Sequence, residues 1–221
     1  MVPTHNPPRD GLVITRAGAA SRHRLWRAPP GEAPRFDTLV CAFDSAAVDE
    51  DVDGVRHCLI PGTKVAGYAQ AFETLHDMIF SYRWVALLDD DIVTDHAAIA
   101  RCFEIGGAEG FAIWQPSLSW DSYFTYGGLL TVPGLAWRRV NFIEMMCPFF
   151  TAEALTTVRP LFDQGWESGI DLVWCSLVQP APCAVIDCVS VHHTRAVGQQ
   201  KSANGFVDRD YADDKIGRAH V

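Results

Sequence analysis

Apolar residues in this chain fall into short unbroken runs, and helically spaced stretches separate several of them. Runs 12–15 (LVIT), 38–43 (TLVCAF), 57–60 (HCLI), 84–88 (WVALL) and 111–114 (FAIW) are short and apolar, and the first is mostly β-branched. They predict buried strands. From Lys64 to about Phe80, Val65, Ala69, Phe72, Leu75 and Ile79 recur on one face of a helix. Thr94 is placed to cap a second helix through about Ile105, with Gly106-Gly107 as its stop.

Strands alternating with helices imply βαβ units and a mostly parallel sheet. The second half is more mixed. Residues 117–137 are aromatic and Gly-rich and predict a long loop or hairpin beside a site. Residues 141–146 are apolar and strand-like. Thr151 opens a short helix ending near Pro160, and a further helix runs from Gly169 to about Gln179, where Pro180 ends it. Runs 184–187 and 189–193 predict the final strands. The expectation is one α/β domain over residues 11–199, a mixed, mostly parallel central sheet flanked by helices, with a loose tail at 1–10 and another at 200–221. The last six residues, 216–221, back-translate to a common sequencing-adapter read and carry no weight in the fold.

Composition narrows the class. With 221 residues, 48% hydrophobic and 20% charged, the chain can bury a sizeable core. A net charge of −9 argues against nucleic acid and anionic lipid as partners. No run approaches the roughly 18 apolar residues of a membrane span, and the N-terminal residues lack the apolar core of a signal peptide. The seven cysteines are odd in number and form no CxxC pair, which favours reduced thiols and a cytoplasmic protein. Phosphate-binding P-loop, dinucleotide-binding GxGxxG and GxSxG hydrolase patterns are absent. The acidic run 49–54 reads as a solvated loop, since it lacks the calcium-loop ligand pattern.

Candidate chemistry concentrates at strand ends. Asp89-Asp90-Asp91 follows an apolar strand, where α/β sheets bind ligands. In extended backbone Asp89 and Asp91 share a side and Asp90 faces away, an arrangement that holds a hard divalent cation with a diphosphate. An acidic loop capping the next helix is an equal alternative. His192-His193 ends a late strand, and only one of the two faces a given site: a third metal ligand, or a histidine of the core or surface. Arg195 beyond it is placed for a phosphate contact. Asp171 and Glu167 lie at a helix start, as caps or as a general base. Glu144 in an apolar run needs a partner or a task. Arg16, Asp44, Lys64 and Asp90 complete the set of possible donor contacts; an ordinary surface role suits Asp44 and Lys64 equally well. Trp114, Trp120 and Tyr123 offer faces for a sugar, or simple packing.

In order along the chain, LVITRAG at 12–18, LLDDDI at 87–92, WQPSL at 114–118, FIEMMCP at 142–148, the segment Gly165-Trp166 through Asp171-Leu172, and VHH at 191–193 resemble the domain-of-unknown-function family 707, over roughly residues 11–199. That family is similar to the GT-A type of nucleotide-diphospho-sugar transferases. The resemblance implies a GT-A-like fold, a nucleotide-diphosphate sugar donor, and Mn²⁺ or Mg²⁺ held by Asp89 and Asp91. It places the family's late histidine on His193, with His192 as the rival. The family's Trp-Gly-x-Asp-like element falls on Trp166 to Asp171, here Trp-Glu-Ser-Gly-Ile-Asp, with altered glycine spacing. The function expected is a metal-dependent glycosyltransferase acting on an unknown glycan or small-molecule acceptor, with Asp171, or else Glu167 or Glu144, as base. The alternatives are a non-catalytic nucleotide- or glycan-binding module, or a metal-dependent phosphohydrolase.

Overall fold

Among the described residues, nine strands form a single sheet in the order β3-β2-β1-β4-β8-β6-β9-β5, with β7 paired to β9. The strands are β1 (Gly11–Ala17), β2 (Asp37–Ala42), β3 (Val55–Leu59), β4 (Trp84–Asp89), β5 (Ile92–Val93), β6 (Ile113–Leu118), β7 (Arg138–Val140), β8 (Phe149–Thr151) and β9 (Cys183–His193). The helices are α1 (Lys64–Thr74), α2 (His76–Ile79), α3 (His96–Glu109), α4 (Ala152–Val158) and α5 (Asp171–Leu177). This computed structural model describes residues 9–196. The expected tail at 200–221 and most of that at 1–10 lie outside the described residues.

Strands β3, β2, β1 and β4 are mutually parallel. Strand β8 runs against both β4 and β6, so β6 and its parallel neighbour β9 point the same way as β4. Only β5, β7 and β8 are reversed, which makes the sheet mixed but mostly parallel. Every residue of β1 and β2 is buried, because parallel strands are covered on both faces. From β1 the chain passes to β2 on one side, while β4 flanks β1 on the other. This reversal of strand order opens a crevice at the carboxyl ends of β1 and β4. Arg16 and Asp89 are register partners at that spot.

Several expected elements are corrected. The helix drawn over 64–80 breaks at Leu75, just after Thr74 Oγ1 turns back to the Gln70 carbonyl at 2.8 Å. Asp95, not Thr94, caps α3, its Oδ1 accepting the Ala98 N–H at 2.8 Å. That helix runs through Gly106-Gly107 and ends at Gly110, whose φ is +68°. The two glycines serve packing instead: a Cβ on Gly106 would lie 2.1 Å from the Trp114 ring, and one on Gly107 2.4 Å from the Trp84 ring. Residues 141–146 are not a strand. Their backbone is held by side chains: Gln115 Oε1 accepts the Glu144 N–H, Asp171 Oδ2 accepts the Met145 N–H, and Trp174 Nε1 donates to the Ile143 carbonyl. The two late runs are one strand, β9, whose register against β6 shifts between Pro116 and Ser117.

Candidate active site

Strand β4 ends at Asp89, and the chain turns through Asp90-Asp91 into the short β5. Strand β5 pairs antiparallel with the end of β9, matching Ile92 with His193. Thr194 fastens this junction, donating from N at 3.2 Å and from Oγ1 at 2.8 Å to the Asp91 carbonyl. The pairing brings His193 Nε2 to 3.1 Å from Asp91 Oδ2. One ligand atom each from Asp89, Asp91 and His193 lies within 4.8 Å of the other two. Two carboxylates and one imidazole are a donor set that suits a divalent cation such as Mn²⁺ or Mg²⁺.

The same carboxylates also have protein cations. Lys64, the first residue of α1, places Nζ 2.5 Å from Asp89 Oδ1 and 2.8 Å from the Met145 carbonyl. Burial alone would lower the Lys64 pKa, but Asp89, Asp91 and Asp171 hold it above the ordinary lysine value. Arg195 sets Nε 3.1 Å from Asp91 Oδ2 and also pairs with Asp90, while its NH1 is buried without a hydrogen-bond partner. A divalent ion at Asp89 and Asp91 therefore has to displace or share these two cations. Burial raises the Asp89 pKa; the hydrogen bond from His193 keeps that of Asp91 low and that of His193 high.

Asp90 faces the other way. Its Oδ2 accepts the Gly18 N–H at 3.0 Å and its carbonyl accepts the Arg22 N–H at 2.6 Å, tying the loop after β1 to this turn. Burial lifts its pKa to about 6, against the pull of Gly18 and Arg195. Arg16 is buried, and its guanidinium is committed to the carbonyls of Cys41 at 3.2 Å and Gly62 at 3.0 Å. It lies directly over Gly67 of α1, where a Cβ would come within 2.1 Å of its Cζ. Asp44 sits half-buried beyond β2, where its Oδ1 accepts the Ala46 N–H at 3.0 Å. Neither residue reaches the Asp89 cluster.

Two candidates take other roles. His192, one residue away from His193 and so on the opposite side of β9, faces Ser119 and Asp121, at 3.2 and 3.3 Å. It lies outside the group formed by Asp89, Asp91 and His193. Glu167 accepts from Thr63 Oγ1 and from the N–H groups of Val65, at 3.0 Å, and Ala66, at 3.2 Å. It caps the α1 N-terminus, which is a structural use of its charge.

Glu144 and Asp171 are both buried. Asp171 Oδ2 accepts the Met145 N–H at 3.0 Å. Glu144 Oε2 has no hydrogen-bond partner, and burial together with the Asp171 charge lifts the Glu144 pKa to about 7. Lys64, whose Nζ donates to the carbonyl of the adjacent Met145, draws it back down. Sequence reasoning missed the part of Met145, whose N–H and carbonyl link Asp171 to Lys64; backbone groups leave no trace in residue identity. In the loop over 117–137, Trp120, Tyr123, Phe124 and Tyr126 are exposed, whereas Trp114 is fully buried and packs on Phe149.

No protein-family model matches the chain, and no curated protein does. Solved structures do. TarS of S. aureus, residues 1–349, in complex with UDP-GlcNAc, superposes with a TM-score of 0.58 at 10% identity, over 88% of this chain and 61% of that one. A second structure of TarS 1–349 gives 0.55 at 10% identity, over 84% and 60%. The chain thus spans about three-fifths of the length of each. The fold is GT-A-like. Among the described residues, no helix is long and apolar enough to cross a membrane.

Proposed function

We propose that the chain is a metal-dependent glycosyltransferase moving a sugar from a nucleotide-diphosphate sugar to an acceptor hydroxyl. The observation that carries this reading is the convergence of Asp89, Asp91 and His193 at the carboxyl end of β4, in a GT-A-like sheet. A resident Mn²⁺ or Mg²⁺ on these three side chains would supply positive charge for the departing diphosphate. The UDP-GlcNAc complex of TarS supports a nucleotide-sugar donor for this chain as well. Membership of family 707 rests on the ordered motifs from residue 12 to residue 193.

This chain's own residues supply the rest. Arg195 pairs with Asp90 and Asp91 and has NH1 left over, so it can turn one donor to a phosphate oxygen without leaving the turn. Glu144, with a pKa of about 7 and a partnerless Oε2, is poised to take a proton from an acceptor near neutrality. Asp171 beside it raises that basicity and orients the Met145 backbone. Trp120 and Tyr123 present exposed faces for a sugar ring. Lys64 and Arg195 already neutralise part of the acidic cluster, and this favours as second reading a binding module that holds a nucleotide or glycan without turnover.

Thermal unfolding with UDP, GDP, CDP and ADP, each with and without Mn²⁺, tests the donor site in wild type and Asp91→Asn. A midpoint rise with one nucleotide that needs Mn²⁺ and vanishes in Asp91→Asn is expected. No rise with any of the four, or a rise unchanged in Asp91→Asn, would overturn the assignment. Hydrolysis or transfer of the matching nucleotide sugar then separates transferase from binding module.

A further inference from the structure

A second cluster of metal-binding side chains lies at the other end of the parallel half of the sheet. His23 opens the 3₁₀ turn His23–Trp26 after β1, Asp49 lies in the loop after β2, and His57 is in β3. One ligand atom from each lies within 4.8 Å of the other two. Strands β2 and β1 separate β3 from β4, so His57 is about 14 Å along the sheet from the strand that carries Asp89. The cluster is a separate place from the candidate active site.

Both imidazoles are prepared as ligands. The His23 and His57 side chains are almost wholly buried, and Nε2 of each has no hydrogen-bond partner. A buried polar nitrogen with nothing to bind is costly, so two of them side by side call for an explanation. In each ring the other nitrogen is engaged. His57 Nδ1 lies 3.2 Å from Asp51 Oδ1, which also accepts the His57 N–H at 2.8 Å. An ionised carboxylate only accepts, so Nδ1 carries a proton, and Nε2 is the nitrogen left to face a metal ion. His23 Nδ1 lies 2.7 Å from Ser21 Oγ. A metal-bound histidine characteristically has its second nitrogen held by a carboxylate or another polar acceptor. Burial, with Arg24, His57 and Arg27 nearby, pushes the His23 pKa down to about 4, which keeps the ring neutral as a ligand must be.

Asp49 has room for a cation. Arg24 binds Oδ2 at 2.8 Å and Oδ1 at 2.9 Å, and Arg27 binds Oδ2 at 3.1 Å. These three bonds use three of the roughly four lone-pair positions of a carboxylate and leave one on Oδ1. The charges of Asp49 and Asp51 balance those of Arg24 and Arg27. In a tetrahedral zinc site neighbouring ligand atoms stand about 3.3 Å apart, given Zn–N of about 2.0 Å. Ligand atoms of the three side chains that lie within 4.8 Å of one another reach that spacing by closing about 1.5 Å or less.

We propose that His23, His57 and Asp49 bind a transition-metal ion of the Zn²⁺ class through both Nε2 atoms and one carboxylate oxygen, with water in the fourth position. Two imidazoles favour zinc over the Mg²⁺ or Mn²⁺ suited to the carboxylate-rich cluster at Asp89. The ion would cross-link the loops after β1 and β2 to β3. The first of these loops also holds Asp90, through Gly18 and Arg22. The inference does not depend on the transferase reading.

The test is calorimetric titration of the chelator-stripped full chain with Zn²⁺ in the Asp89→Asn/Asp91→Asn background, which silences the other cluster. One Zn²⁺ per chain is expected, with four-coordinate Co²⁺ bands in the visible spectrum when Co²⁺ replaces it. Adding His57→Gln or His23→Gln should abolish binding. Asp51→Asn, at a side chain 60% exposed, leaves the fold alone and should weaken binding roughly 10- to 100-fold through the lost support of His57. No Zn²⁺ bound in the background chain, binding that survives both histidine changes, or octahedral Co²⁺ bands unchanged by Asp51→Asn would each overturn the proposal.

Discussion

Lys64 Nζ sits between Asp89 Oδ1, at 2.5 Å, and the Met145 carbonyl, at 2.8 Å, joining α1, the end of β4 and the segment that carries Glu144. Both side chains of the ion pair are about a quarter exposed, so its removal should cost more than an exposed pair and less than a fully buried one. Lys64→Met is expected to destabilise the fold by about 2 kcal/mol. Asp89→Asn in the same chain should recover most of that loss, since no charge is then left stranded. Urea unfolding of the two single variants and the double one measures the coupling; strictly additive costs would mean that the two groups do not interact. Mn²⁺ should also raise the unfolding midpoint of Lys64→Met more than that of wild type.

Glu144 gives a pH signature. Its ordinary pKa is 4.5, and in the fold it is lifted to about 7 by burial and by Asp171. The charged form is the penalised one. Below pH 4.5 the group is protonated in both states and contributes nothing; the penalty grows as pH rises and is complete above about 7. Glu144→Gln should therefore match wild type at pH 4 and exceed it by about 3 kcal/mol at pH 8, by the factor of 1.36 kcal/mol per pKa unit. Urea midpoints at the two pH values decide this. A variant equally stable or weaker at pH 8 would place Glu144 in a solvated position. If the group is also the base, the same variant loses turnover.

The position of Glu167 predicts a purely structural loss. Its carboxylate meets Thr63 and the first free N–H groups of α1, so Glu167→Ala leaves buried donors without acceptors. A cost of about 2 kcal/mol is expected, mid-range for hydrogen bonds to a charged group. The Mn²⁺-dependent nucleotide shift should persist in the folded fraction at low temperature. Its disappearance there would return Glu167 to the binding site.

The parallel half was legible because burial on both faces leaves an unmistakable mark: β1, β2 and β4 coincide with LVIT, TLVCAF and WVALL. The Asp89–Asp91 turn was legible because three carboxylates at the end of such a strand are conspicuous. The second half was less so. An apolar run at 141–146 is equally suited to a strand and to irregular chain, and here Gln115, Asp171 and Trp174 decide in favour of the latter by bonding its backbone. Those partners lie about 30 residues away, beyond any local pattern. The choice between His192 and His193 likewise needed the register of β5 on β9. The cluster of His23, Asp49 and His57 draws one residue from each of three segments, none of which is distinctive alone.

Gly106 carries a packing prediction that opposes helix propensity. Alanine is favoured over glycine by about 1 kcal/mol inside a helix. At Gly106, however, a Cβ would lie 2.1 Å from the buried Trp114 ring, whose Nε1 donates to the Cys102 carbonyl of the same helix at 2.9 Å. Either α3 shifts off the sheet or the ring leaves its bond. Gly106→Ala should lower stability by about 1–2 kcal/mol net, overpacking outweighing propensity. Thermal unfolding reads this directly, with tryptophan fluorescence reporting on the ring. A stabilised variant would mean that α3 stands further from β6 than the ring contacts require. Gly110→Ala, at φ +68° with open space around it, should cost about 1 kcal/mol through backbone strain alone and leave the tryptophan signal unchanged.

The two histidines at the end of β9 separate a metal site from a general acidic patch. His193 touches Asp91, whereas His192 faces Ser119 and Asp121 on the other side of the strand. Electrostatic attraction of Mn²⁺ to an acidic surface would not distinguish neighbours in sequence; coordination would. His193→Gln should weaken Mn²⁺ binding at least tenfold, while His192→Gln should change it less than twofold. Mn²⁺ titration followed by electron paramagnetic resonance of the free ion gives both affinities, with far-ultraviolet circular dichroism to confirm that each variant is folded. Removing His193 also takes a hydrogen-bond donor from Asp91. A variant that loses Mn²⁺ only because Asp91 has reoriented behind Arg195 is distinguished by combining His193→Gln with Arg195→Met. If coordination by the imidazole is what matters, the double variant stays weak. If Arg195 has closed over the carboxylate, binding returns. Equal loss in His192→Gln and His193→Gln would remove the imidazole from the ligand set and leave Asp89 and Asp91 alone to hold the ion.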